Sequence, residues 1–190
     1  MPADSLPKAK DAFNAFRVES VWLRGIYDTS FALYSSGAET EAILKRAAPA
    51  FFGDLNHILI EYWIMVVCRL TDPAKSFGRE NLTAANLVSS LEELKLMTKE
   101  IRIHADGLHR YRSLLNDARN RAVSHADKDT FLQPELLGEH KEHQIDDFLE
   151  DLQAFNDLVG IALGEGPLDF CGTSGPGDAF DLIRVLRDAA

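Results

Sequence analysis

Residues 50–70 read AFFGDLNHILIEYWIMVVCRL, and apolar side chains lie on most faces of any helix that this stretch forms. A helix that is apolar nearly all round is buried at the centre of a protein or spans a membrane. The most apolar part, residues 58–70, is too short to span a bilayer and is interrupted by Glu61 and Arg69. The stretch therefore predicts the central helix of a bundle, ending just before Pro73 because proline disfavours helical geometry in the preceding residue.

The rest of the chain continues this helical pattern. Apolar residues recur at helical spacing on both sides of residues 50–70, with no convincing alternating strand pattern and no internal repeat. The predicted fold is an all-α, up-and-down antiparallel helical bundle. Thr83 is expected to cap a helix, and residues 74–81 are expected to form a polar loop. The further helices are expected at about residues 8–34, 39–47, 84–94, 98–122, 145–162 and 180–186.

The composition changes after residue 163. Residues 164–177 contain five glycines and two prolines, which is typical of a linker or a surface loop. We therefore divide the chain into a helical bundle, residues 1–163, and a C-terminal extension, residues 164–190, in which a linker precedes a short helix. That final helix is expected to dock on the bundle or on a partner chain.

Charge is unevenly distributed along this acidic chain. The net charge of −10 argues against a protein that coats nucleic acid generally. Residues 95–128 nevertheless carry eight Lys or Arg against four Asp or Glu, whereas residues 129–169 carry one Lys against eleven acids. Two explanations stay open: helix faces of opposite charge that attract each other, or a local anion site in an otherwise acidic protein.

The cysteines and the first residues of the chain indicate the cellular compartment of the protein. Cys68 and Cys171 are the two cysteines, and they form no framework pattern, which favours a reducing compartment. The first residues lack the basic start and the apolar run of a signal peptide. We therefore expect a cytoplasmic protein that does not associate with a membrane.

The most site-like pattern is NDARNRAVSHAD at residues 116–127, near the end of a predicted long helix. In it Arg119 is followed directly by Asn120 and, after four further residues, by His125. Arginine and asparagine suit phosphate binding, and histidine can act as a general base near neutral pH. The pattern therefore makes Arg119, Asn120 and His125 the candidate catalytic residues.

This pattern resembles the signature of the HEPN superfamily, in which an Arg is usually followed by Asn, Asp or His and then by a His a few residues later. A second stretch, CRLTDP at 68–73 followed by ENLT at 80–83 and a short helix, resembles the abortive-infection U-type branch of that superfamily. The resemblance covers roughly residues 50–160. It implies a helical homodimer whose two motifs meet in a cleft between the protomers. It also implies a role in phage defence or as a toxin, with a possible antitoxin protein as partner.

The chemistry that fits this motif is metal-independent cleavage of RNA. A neutral His125 is expected to take the proton from a ribose 2′-OH as general base. Arg119 is expected to hold the phosphate and stabilise the charge that develops on it. Asn120 is expected to orient Arg119 or to bind the phosphate. The expected product is a 2′,3′-cyclic phosphate, because the attacking oxygen belongs to the substrate.

Other interpretations of the motif stay open. On an ideal helix Arg119 and His125 point about 120° apart and lie about 9 Å apart along the axis, so they converge only if the helix loosens or a second protomer contributes. Arg119 can instead pair with Asp146 or Asp147 of the following helix, and Arg121 can share a solvated face with His125. A second class of function is a non-catalytic helical module that binds a nucleotide, RNA or a protein partner.

No metal and no cofactor is expected. His140 and His143 are three residues apart, but the sequence places no third ligand beside them. Residues 172–177, GTSGPG, lack the following lysine and the preceding strand of a phosphate-binding loop. Trp22 and Trp63 are expected to serve the core or an interface.

Overall fold

Helices make up most of the protein. The computed structural model describes residues 5–123, 138–170, 172 and 175–189. The predicted all-α fold is confirmed. The helices are α1 (Ser5–Tyr34), α2 (Ala38–Ala47), α3 (Pro49–Thr71), α4 (Ala84–Glu93), α5 (Lys99–Ala118), α6 (Glu142–Leu163) and α7 (Ala179–Asp188). A π-helical turn, Arg119–Val123, continues α5.

A short β-hairpin lies between α3 and α4, where a polar loop was predicted. Its strands β1 (Lys75–Ser76) and β2 (Arg79–Glu80) pair antiparallel. Phe77 and Gly78 form the two-residue turn with φ values of 49° and 76°, as a type I′ turn requires. The prediction missed the hairpin because strands of two residues show no alternation and phenylalanine is unusual at positive φ.

Local signals explain several of the helix boundaries. Thr83 and Thr98 begin α4 and α5, because each side-chain oxygen accepts the backbone N–H three residues further on at 3.2 Å. The end of α3 is also as predicted, since Asp72 has extended backbone with ψ of 160° before Pro73. α6 ends at Gly164, which has a left-handed backbone with φ of 74°.

The main core lies between α1, α3, α5 and α6. α6 packs along α5, and buried side chains of both helices meet those of α1 and α3 in one apolar cluster. Phe16 of α1 and Phe155 of α6 pack edge to face, with ring centroids 5.7 Å apart. Asn156 donates to the buried hydroxyl of Ser20 at 3.1 Å across the same interface. This packing fixes the position of α5, at whose C-terminal end the candidate motif begins.

A smaller apolar cluster holds α7 against the end of α1, α2 and the start of α3. Ile183 is the buried contribution of α7. Arg187 Nε lies 3.0 Å from the carboxylate of Glu39 on α2. The final helix therefore docks on the bundle, which was one of its two predicted destinations, while the division of the chain at residue 163 stays a prediction.

α3 occupies the predicted central position but is exposed on one face. It contacts α1, α2, α4 and α5, whereas Phe51, Ile58 and Ile60 are each roughly half exposed. By length and composition alone α3 could cross a membrane, and 33% of its most apolar window is buried. Core helices of soluble proteins meet the same criterion. No described element covers this face, so within the described part of the chain this central helix is buried on its other sides.

Candidate functional site

The predicted motif begins where α5 changes geometry. Arg119 follows the last α-helical residue, Ala118, and opens the π-helical turn that ends at Val123. The helix thus extends about as far as predicted, but its last turn is wider than an α-helical turn. Such π-helical turns occur frequently at functional sites.

Arg119 and Asn120 are brought together at the start of this turn. The half-buried Arg119 side chain donates through Nη1 to Asn120 Oδ1 at 2.9 Å. This is the contact by which Asn120 was expected to orient Arg119. Because an amide oxygen is neutral, the bond fixes the guanidinium group and leaves its positive charge uncompensated.

His125 lies outside the described residues, and so does the expected convergence of Arg119 with His125. The alternative pairing of Arg119 with Asp146 or Asp147 is not found. Within the described part of the chain, Arg119 makes its polar contact with Asn120 and forms no ion pair with a carboxylate. The arginine of the motif is therefore held by a neutral partner.

An ion pair beside the motif joins Arg112 to Asp72, and no sequence pattern indicated a role for either side chain. Arg112 Nη2 lies 2.6 Å from Asp72 Oδ1, and each side chain is about a quarter exposed. Asp72 directly follows α3 and belongs to the CRLTDP stretch, whereas Arg112 precedes Arg119 by seven residues on α5. That spacing puts both arginines on one side of the helix, and it is the signal that could have identified Arg112.

Cys68 lies close to this group, in the last turn of α3. Its side chain is almost fully buried, and this burial is the main cause that raises the pKa of the thiol. The positive charges of Arg112 and Arg119 lower the pKa, and the negative charge of Asp72 raises it. Both guanidinium groups therefore act electrostatically on one buried sulfur atom. With its raised pKa the thiol is neutral at pH 7 and adds no charge to the site.

His109 lies one turn before Arg112 on the same side of α5. The pKa of His109 is lowered, mainly by burial and further by the positive charge of Arg112. The negative charge of Asp106 raises this pKa in part. The imidazole is therefore mostly neutral at pH 7. The positive charge on this side of α5 comes from the two arginines.

The other candidates from the sequence have contacts of their own. His140 Nδ1 lies 2.7 Å from the carbonyl oxygen of Gly138, and its ring packs edge-on against Tyr111. Among the described residues, no group of three or more His, Cys, Asp or Glu side chains is placed to hold a metal ion. In the glycine-rich segment before α7, the N–H of Gly177 donates to the carboxylate of Asp181 at 2.8 Å. A phosphate-binding loop uses such backbone N–H groups to hold the phosphate, and this one is already occupied.

The sequence matches the HEPN_AbiU2 family model, described as AbiU2, over residues 6–182. The chain belongs to the HEPN_AbiU2 family. The match runs from α1 into α7 and covers both stretches on which the resemblance was based, so the predicted membership of the abortive-infection branch of the HEPN superfamily is confirmed. No curated protein and no solved structure matches the chain.

An apolar surface lies on α1 and α3 of this HEPN_AbiU2 chain. On α1 and α3, Val18, Trp22 and Ile58 are each more than half exposed, and we call this surface the α1/α3 face. One groove of about 650 Å³ is lined by these three residues. A second groove of the same volume lies beside Phe31 and Ile60 and reaches Leu115, one helical turn before Arg119. Trp22 is therefore not a core residue, and its expected role at an interface stays a prediction.

Proposed function

We propose that this HEPN_AbiU2 protein is a metal-independent endoribonuclease that acts in the cytoplasm, in phage defence or as a toxin. The supporting observation is the pair of arginines on one side of α5, with Asn120 holding Arg119 and Asp72 holding Arg112. The chain as a whole carries a net charge of −10. A local positive site in an acidic protein favours phosphate binding at one place over general binding of nucleic acid.

In the proposed reaction, His125 removes the proton of a ribose 2′-OH. The 2′ oxygen forms a bond to the adjacent phosphorus, the bond from phosphorus to the 5′ oxygen of the next nucleotide breaks, and that oxygen takes up a proton. Arg119, oriented by Asn120, stabilises the negative charge on the phosphate oxygens in the transition state. The products are a 2′,3′-cyclic phosphate and a 5′-hydroxyl end, and no metal ion or cofactor takes part.

The active form in this proposal is a homodimer that associates through the α1/α3 face. A run of exposed apolar side chains beside grooves is typical of a protein interface. The second groove, beside Phe31 and Ile60, reaches Leu115, so a second copy that covers both grooves by two-fold symmetry lies close to the motif of the first. Such a dimer is the arrangement in which two copies of Arg119 and His125 share one cleft.

Analysis of the RNA ends tests the reaction. The purified protein is incubated with a defined single-stranded RNA in EDTA, and the 3′ ends of the products are identified by mass spectrometry. We expect cyclic phosphate ends, and we expect no cleavage of an RNA with a 2′-O-methyl group at the cleaved position. Activity that disappears in EDTA and returns with a divalent ion, with the fold intact, contradicts the proposal.

A non-catalytic module that binds a nucleotide, RNA or a protein partner is the second candidate. The net charge of −10 favours it, because overall negative charge weakens binding to long RNA. Expression in growing cells separates the two functions. A toxin-like nuclease arrests growth, and an antitoxin partner restores it on co-expression, whereas a binding module leaves growth unchanged.

A further inference from the structure

One side of α5 presents His109, Arg112, Asn116 and Arg119 in succession. The spacings of three, four and three residues place these side chains along one face of the helix, and each of them is partly buried. Arg112 has no role in the proposed reaction. At 1.5 Å per residue, it precedes Arg119 by about 10 Å along the helix axis, which suits contacts with different phosphates of one strand.

The hydrogen bonding of Arg112 is incomplete. A guanidinium group has five N–H donors. Nη2 donates to Asp72 Oδ1, but Nε is buried and has no hydrogen-bond partner among the residues that the structure describes. Arginine often meets a carboxylate through two parallel bonds, and a buried donor without a partner is rare in native structures. The ion pair with Asp72 therefore does not by itself account for the orientation of Arg112.

The two arginines also differ in their partners. Among the described residues at the end of α3, Asp72 is the carboxylate that faces Arg112, while Arg119 is held by the neutral amide of Asn120. The Cys68 thiol and the His109 imidazole are neutral at pH 7 for the reasons given above. Within the described part of the chain, Arg112 is thus paired with a carboxylate at one of its nitrogen atoms, whereas Arg119 is not paired with a carboxylate.

We infer that Arg112 is a second phosphate-binding residue, which holds the phosphate next to the one that Arg119 holds and so positions the RNA strand along α5. This inference rests on the proposed ribonuclease function, whose substrate it extends over two phosphates. Asp72 is the positioning residue, because its carboxylate fixes the direction of the Arg112 side chain. Substrate affinity therefore depends on Arg112, whereas the chemical step depends on the motif.

Binding and cleavage are measured separately to test this. Binding uses fluorescence anisotropy of a short single-stranded RNA with 2′-O-methyl groups, which cannot be cleaved, over a series of salt concentrations. For Arg112→Gln we expect a Kd and a KM at least tenfold higher than in the parent and a kcat within threefold of the parent. We also expect the slope of log Kd against log salt to fall by about 0.7, the value for one lost phosphate contact on a single strand.

Four further variants show what a change in Arg112→Gln means. Arg112→Lys keeps the charge, so its salt slope should equal that of the parent while its Kd rises, and it tests the inference even where Arg112→Gln fails to fold. Asp72→Asn should raise KM without changing the slope, and Asp72→Glu should restore much of the affinity. Arg110→Ala is the control, because this arginine lies on another side of α5 with its side chain 69% exposed, and it should bind as the parent does.

Several outcomes overturn the inference. An unchanged Kd and salt slope in Arg112→Gln make the ion pair with Asp72 purely structural. A lower kcat with unchanged KM places Arg112 at the scissile phosphate instead. A parent that cleaves RNA while Arg112 has no effect refutes this inference alone, whereas a parent that neither binds nor cleaves RNA refutes the proposed function as well.

Discussion

Trp63 donates its indole N–H to the hydroxyl oxygen of Tyr111 at 3.1 Å, and this buried bond joins α3 to α5. The Tyr111 ring also packs on Phe148 of α6, with centroids 4.7 Å apart. Burial raises the pKa of Tyr111 to about 12, although the bond from Trp63 acts in the opposite direction. The Tyr111 side chain therefore links three helices, and its burial opposes the ionisation of its own hydroxyl group.

The stability of the protein should fall steeply between about pH 10 and pH 12. Tyr111 has its ordinary pKa near 10 in the unfolded chain and about 12 in the folded protein. Because the pKa is higher in the folded protein, the neutral Tyr111 contributes fully to stability below pH 10, and this contribution is lost as the pH rises through 12. The loss attributable to Tyr111 is roughly 2–3 kcal/mol. Urea unfolding at a series of pH values measures it.

Tyr111→Phe is the control for this pH dependence. It removes the acceptor of the buried Trp63 N–H, so we expect a loss of about 1–3 kcal/mol at pH 7. Between pH 10 and 12 its stability should decline less than that of the parent. If the free energy of unfolding declines equally with pH in the parent and the variant, ionisation of Tyr111 does not cause the decline.

Two helical glycines should respond to alanine in opposite directions. A Cβ at Gly160 in α6 would lie 2.3 Å from the backbone oxygen of Gly166 and 3.1 Å from Phe13 Cζ, whereas a Cβ at Gly53 in α3 meets nothing within 4 Å. Gly160→Ala should therefore destabilise the protein by about 1–3 kcal/mol. Gly53→Ala should stabilise it by about 0.5–1 kcal/mol through helix propensity. Thermal unfolding of both variants measures these changes, and a Gly160→Ala variant as stable as the parent contradicts the packing described for α6.

The catalytic roles can be ordered by alanine substitution in the motif. His125→Ala should lower cleavage by about 10²–10⁴-fold, and Arg119→Ala by about 10²–10³-fold, with far-UV circular dichroism unchanged. Asn120→Ala should be less damaging, because Arg119 keeps its charge when its partner is lost. Single-turnover cleavage of a labelled RNA measures all three.

Arg121→Ala is the control for this series, because the HEPN resemblance gives Arg121 no role. It should cleave like the parent. A large loss in Arg121→Ala together with normal activity in Arg119→Ala shows that the motif has been assigned to the wrong arginine.

The proposed homodimer should depend on the α1/α3 face. Light scattering at micromolar concentration should give twice the monomer mass for the parent. Ile58→Glu places a charge on this face, where Ile58 is 58% exposed, and should give a monomer. Ile161→Glu is the matched control, because Ile161 is 59% exposed on α6, away from the two grooves. A monomeric parent, or a dimer that Ile161→Glu breaks and Ile58→Glu leaves intact, rules out this interface.

The helices were predictable because apolar spacing and local capping act over a few residues. Thr83 begins α4 and Pro73 follows the end of α3, as the sequence indicated. The β-hairpin was missed because its positive φ values fall on Phe77 as well as Gly78. The π-helical turn after Ala118 was also missed, since the apolar period alone does not distinguish a π turn from an α turn.

The candidate site was predictable only in part. Arg119 and Asn120 are neighbours in the sequence, so their contact required no knowledge of the tertiary structure. Arg112 and Asp72 are separated by 40 residues, and only the packing of α3 against α5 brings them together. The single exposed face of α3 was unpredictable for the same reason, because composition does not reveal which side a neighbouring helix leaves uncovered.

The position of α6 also sets when the site can form during synthesis. α5 and the residues of Arg119–Val123 are made before α6, yet α6 covers the apolar side of α5. A nascent chain that has not reached residue 163 leaves that side of α5 without its main partner, so the packing that fixes the position of α5 is incomplete. Assembly of the site is therefore delayed on the ribosome, and a truncated product that lacks α6 is expected to be inactive.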